Sequence, residues 1–109
     1  MKTADAVKAL SALAQDTRLA IYRLLVQQGP AGLPAGTIAE RLDVPAATLS
    51  FHLKELTHAG MIGPRQDGRF VYYSANYEQM NELLGYLSEN CCQGETACTP
   101  RRELRRKRA

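Results

Sequence analysis

The sequence predicts a mainly α-helical domain with one small β-hairpin. Three observations predict it. In the stretch 45–60, PAATLSFHLKELTHAG, Leu49, Leu53 and Leu56 recur at four- and three-residue steps and so share one helical face. A shorter helix at 36–42 comes just before it, separated by the tight break Asp43-Val44-Pro45. Helix, short turn, helix is the geometry that lays a second helix into the DNA major groove. Beyond residue 60 the period changes. Arg69-Phe70-Val71-Tyr72-Tyr73 is β-branched and aromatic, and Asp67-Gly68 is a hairpin turn pair.

The chain has 109 residues, the size of one small domain. A domain this small buries only roughly two-thirds of its unfolded surface, so a dimer that shares apolar helix faces is expected. No run approaches the ~18 apolar residues of a membrane helix. The start, MKTADAVKALSALAQ, has no long apolar core and carries Asp5 and Lys8, so no signal peptide is read there. The expected setting is cytoplasmic, with reduced thiols. The net charge of +3 is unevenly placed. The last nine residues hold six basic side chains and one acid, leaving the first 100 with eight basic and ten acidic, a net −2. The basic tail reads as a solvated segment that adds non-specific attraction to phosphates.

In chain order, residues 4–14 read as a first helix, with Val7, Leu10, Leu13 and Ala14 on the 3.6 period. A second helix begins at Asp16-Thr17, where either side chain can cap, and stops at Gly29-Pro30. Leu19, Ala20, Ile21, Leu24 and Leu25 make it apolar over much of its circumference, which predicts a central position. Residues 29–36, with two prolines and three glycines, read as a loop. The helix pair follows, closed by Gly60 as the residue just past the helix end. Two strands are expected at about 61–66 and 69–75, the first kept at a sheet edge by Pro64. A hairpin placed directly after a helix-turn-helix is a wing. A last helix at 77–90 carries the stripe Tyr77, Met80, Leu83, Leu84 and Leu87. Residues 1–90 thus form a winged helix-turn-helix domain, 91–98 a cysteine-rich loop and 99–109 a basic tail.

The segments ALAQDTRLAIYRLL, TLSFHLKELTHAGMI and RQDGRFVYYS, in this order, resemble the ArsR/SmtB family of metal-responsive winged-helix repressors over about residues 5–90. The resemblance implies a homodimer paired through its terminal helices. Such a dimer binds an imperfect inverted repeat in double-stranded operator DNA and releases it when an effector binds. It places Thr48, Ser50, Phe51, His52 and Lys54 against DNA, with Arg65 and Arg69 on the wing near the backbone. Serine and lysine serve phosphates or base edges, and Phe51 suits a thymine methyl. Ala46 and Ala47 leave few polar groups at the start of this helix. Two effector sites of the family are missing: no cysteine lies at 37–42, and the last helix has no histidine. His52 and His58, six residues apart, do not share a face and read as DNA-facing or surface groups.

Cys91, Cys92 and Cys98 lie together in CCQGETAC, directly after the last helix. The odd count and reduced setting disfavour a structural disulfide. A tetrahedral zinc site needs a fourth ligand. A redox switch needs acidic thiols, yet Cys91 and Cys92 follow a helix C-terminus with Glu89 and Glu95 close in sequence. A soft trivalent ion fits the set best. As(III) or Sb(III) takes three sulfurs in a pyramid, three thiolates neutralise its charge, and the ion drives their deprotonation. A vicinal pair plus a third cysteine after the last helix is also one arrangement of arsenite sensors in the family. The helix must end near Asn90 for both sulfurs to turn to one ion. The alternatives are another soft metal (Cd, Pb or Zn) or thiol oxidation at the same cysteines. No organic cofactor is expected. Catalysis lacks support, since there is no phosphate-cradling Gly-rich loop and no cysteine at a helix start. A protein-interaction module is the remaining rival.

Overall fold

The structure, a computed structural model, describes residues 1–94. Five helices and three short strands run in the order α1 (Thr3–Leu13), α2 (Asp16–Gln28), β1 (Leu33–Pro34), α3 (Ala35–Leu42), α4 (Ala46–His58), β2 (Ile62–Asp67), β3 (Phe70–Ala75) and α5 (Tyr77–Ser88). The strands form one antiparallel sheet in the order β1-β3-β2.

Leu49, Leu53 and Leu56 all face inward from α4, against Ile21, Tyr22 and Leu25 of α2, Ile38 of α3 and Leu83 of α5. Each such aliphatic side chain contributes roughly 1.5–3 kcal/mol by leaving water. The burial of α4 on one face is what fixes which residues its other face presents. Its end is a Schellman turn: Gly60 N–H donates to Thr57 O and Met61 N–H to Leu56 O, both at 3.0 Å. Asn76 then ties α5 to this corner, through its backbone N–H to Met61 O and its side chain to Gly60 O, each 2.9 Å. Asn76 also caps α5 by accepting from Gln79 N–H at 3.1 Å.

The first helix buries a different face from the one its period suggested. Ala6, Ala9 and Ala12 are buried, while Val7 and Leu10 are 55% and 41% exposed. Small side chains let α1 sit close to its neighbours, and the larger aliphatics are left outside. The last helix repeats this: Leu83 is buried, and Leu84 and Leu87 are 46% and 56% exposed. Gln15, not Asp16 or Thr17, caps α2, its side chain accepting from Arg18 N–H at 2.9 Å.

The loop at 29–36 contains the third strand, where Leu33 pairs with Tyr73 and Pro34 with Tyr72. Two residues are too few for an alternating pattern, so the sequence carried no strand signal there. In the hairpin, Asp67 pairs with Phe70, so the two-residue loop is Gly68-Arg69, one position later than Asp67-Gly68. Gly68, at φ +64°, fills the first central position, as a type II′ loop requires. Pro64 does lie on an edge strand. Among the described residues no helix is long and apolar enough to cross a membrane.

Candidate nucleic-acid interface and cysteine site

With one face of α4 in the core, the outer face presents Ala47, Ser50, Phe51, Lys54 and His58, all exposed. The spacing 47, 51, 54, 58 is one helical stripe. Phe51 is 55% exposed. Thr48 is also exposed, near the helix start. No acidic side chain lies on this stripe, which offers a hydroxyl, an aromatic ring, an ammonium and an imidazole.

His52 departs from the expected DNA-facing position. It is only 8% exposed, and its Nδ1 accepts from Arg18 Nη1 at 3.3 Å. Burial and then the Arg18 charge lower its pKa from the ordinary 6.5, with Glu55 opposing them. The reason is helical phase: residue 52 falls beside Leu49, Leu53 and Leu56. The stripe instead includes His58, four residues beyond Lys54. Its exposure agrees with the reading of His58 as a DNA-facing or surface group.

The wing divides by face. Ser50, Leu53, Lys54, Thr57 and His58 of α4 line a cleft of about 360 Å³, with Ala35, Pro64 and Tyr73 opposite. Strand alternation puts Arg65 and Tyr72, a cross-strand pair, on the other face of the hairpin. There Arg65 donates to Ala31 O at 2.9 Å, lies 5.0 Å from the Tyr72 ring centroid and approaches Asp67 at 3.5 Å. Arg65 therefore holds the wing to the loop before β1. Arg69 sits at the hairpin tip, exposed. Phe70 beside it is exposed too, in edge contact with Tyr72 at 6.5 Å.

After the wing, α5 stops at Ser88. Glu89 is extended, and Asn90, Cys92 and Gln93 have φ of +57°, +51° and +56° around a short turn, Cys91–Gly94. The turn brings the vicinal sulfurs together, Cys91 Sγ lying 3.7 Å from Cys92 Sγ. Cys92 is disulfide-bonded in this structure, which departs from the expectation of reduced thiols. Cys98, the expected third ligand, lies outside the described residues. Among the described residues no cluster of three or more His, Cys, Asp or Glu could hold a metal.

A sequence-family profile for a helix-turn-helix domain matches residues 13–63. The arsenical resistance operon repressor of Bacillus subtilis is 36% identical over 91 residues, covering 80% of this chain and 83% of its own. A cadmium resistance regulatory protein CadC homolog of Staphylococcus aureus is 34% identical over 80 residues, covering 73% of this chain. The chain spans under two thirds of that relative, 64%, and 63% of the nodulation protein NolR of Rhizobium meliloti. Among solved structures, an ArsR-like transcriptional regulator from Rhodococcus sp. RHA1 superposes with a TM-score of 0.74 at 26% identity, covering 96% of this chain and 92% of that one. The fold, the wing and the sequence likeness agree: the chain belongs to the ArsR/SmtB family of winged helix-turn-helix transcriptional regulators.

Proposed function

We propose that this protein is an As(III)- or Sb(III)-responsive transcriptional repressor that binds operator DNA as a homodimer. The observation that carries the effector reading is the vicinal pair, 3.7 Å between sulfurs, at the end of α5. Reduction of the Cys92 disulfide would leave two neighbouring thiolates on one short turn, able to turn to one soft ion. Cys98, six residues on, would supply the third thiolate. The likeness to an arsenical resistance repressor and a cadmium resistance regulator supports a soft-ion effector.

The dimer reading rests on the apolar residues that α1 and α5 leave outside. Val7 and Leu10 share one face of α1, and Leu84 and Leu87 one face of α5. The two helices adjoin, and the hydroxyls of Thr3 and Tyr86 are hydrogen-bonded. Two protomers paired there would set two recognition helices roughly 34 Å apart, one turn of DNA. Ser50, Phe51 and Lys54, with Thr48 and Arg69, are the contacts proposed for each half-site. An effector at the end of α5 acts on a helix of the pairing face. Release requires the ion to bind the DNA-free dimer more tightly than the DNA-bound one, and a tenfold loss of DNA affinity corresponds to about 1.4 kcal/mol of coupling.

A second reading has its own observation. The disulfide at Cys92 favours thiol oxidation as a switch at the same cysteines. A comparison of reduced protein with arsenite, reduced protein alone, and oxidised protein separates the two. Operator release by arsenite, abolished in Cys98→Ser, supports the ion. Release by oxidation alone supports the redox switch.

A further inference from the structure

Arg18 joins three elements. Its backbone N–H donates to the Gln15 side chain at 2.9 Å, which starts α2. Its Nε donates to Ala12 O in the last turn of α1 at 2.6 Å. Its Nη1 donates to His52 Nδ1 in α4 at 3.3 Å. Arginine has no acceptor, so Nδ1 must be unprotonated and the ring neutral, with its proton on Nε2. Ala12 and His52 are both buried, so these bonds do not compete with bulk water. The planar fork of one guanidinium thus fixes the distance and the angle between α1, which bears the exposed Val7 and Leu10, and α4, which bears the Ser50–Phe51–Lys54–His58 stripe. A lysine ammonium has no such fork.

We propose that Arg18 is a positioning residue: through His52 it sets the recognition helix against the pairing helix α1, and so sets the alignment of the α4 stripe with DNA. Two half-sites must be met at once, and a tilt of each α4 misplaces contacts at both. The proposal rests on the DNA-binding reading given above. It does not depend on which effector binds.

The test uses the full chain and a duplex enriched by the wild type from a random-sequence pool. The variants are Arg18→Gln, Arg18→Lys, His52→Gln, His52→Leu and the double variant Arg18→Gln/His52→Leu. Ile21→Val, a core change with neither bond, controls for stability. Three results are expected. Arg18→Gln, Arg18→Lys and His52→Leu each weaken DNA binding at least tenfold, although Arg18→Lys keeps the charge. The double variant is no weaker than its worse parent. His52→Gln, whose side-chain oxygen can still accept from Arg18, stays within threefold of wild type, as does Ile21→Val. Independently of DNA, the NMR titration of the His52 ring moves up in Arg18→Gln, because a neighbouring positive charge is gone. Losses that multiply in the double variant, or an equal loss in Ile21→Val, overturn the proposal. So does an unmoved His52 titration. A wild type that enriches no duplex overturns the DNA-binding reading instead, and the titration still decides whether the contact exists.

Discussion

The Tyr22 hydroxyl is buried without a hydrogen-bond partner among the described residues. Burial, and then Tyr77, raise its pKa above 10.0, so it stays a neutral phenol. A buried hydroxyl left unpaired costs about 1–3 kcal/mol, and removing it while keeping the ring restores most of that. Tyr22→Phe is therefore expected to raise the melting temperature by a few degrees. A fall in Tm would show that the hydroxyl has a partner after all. His52 gives a pH dependence. Its folded pKa lies below its unfolded value of 6.5. As pH falls below 6.5 the unfolded chain takes up a proton before the folded one. The stability this group contributes is present above that pH and is lost as pH falls toward the folded pKa. The urea midpoint should drop between pH 7 and pH 5 by more in the wild type than in His52→Gln. Equal drops would mean that the ring is solvated.

At the scale of elements, the wing hangs on a close approach. Gly32 has φ +73°, and a Cβ there would lie 2.4 Å from Tyr73 O, inside any real contact. Only glycine lets β1 come this near to β3. Gly32→Ala should destabilise the protein by about 2 kcal/mol or more, with early loss of amide protection in β1. Normal stability and protection would mean that β1 is not pinned there. Helix-scale features were legible because period and punctuation agree. Leu49, Leu53 and Leu56 mark α4, the prolines and glycines mark its ends, and Arg69–Tyr73 mark the hairpin. Features set by tertiary contact were not. The two-residue β1 exists only because β3 lies beside it, and the partner that satisfies the inward-facing His52 ring is Arg18, 34 positions earlier. The alanine face of α1 was hidden because alanine adds little to an apolar period, whereas Val7 and Leu10 dominate it.

For the molecule as a whole, the helices at the two ends of the described chain expose the aliphatic residues that its core does not use. Covering Val7, Leu10, Leu84 and Leu87 in a symmetric dimer would add several kcal/mol at roughly 1.5–3 kcal/mol per side chain. Leu84→Glu/Leu87→Glu is expected to sediment as a monomer with its helical circular dichroism retained. Its affinity for a two-half-site operator should fall at least a hundredfold. A dimer that survives both changes would put the pairing surface elsewhere. The candidate site at the end of α5 is proposed from a cluster of three cysteines in the sequence, of which the structure describes Cys91 and Cys92, with sulfurs 3.7 Å apart.

Effector sensing, as proposed, requires three thiolates at this end of the chain to hold one soft trivalent ion. It is tested most directly by titrating the fully reduced protein with arsenite, following the ultraviolet absorbance of the sulfur–arsenic bonds, with Cys98→Ser alongside. The expected result is saturation at one ion per chain in the wild type, and loss of that saturable signal in the variant. Wild-type protein with no saturable signal, or a Cys98→Ser variant that binds as the wild type does, would contradict it.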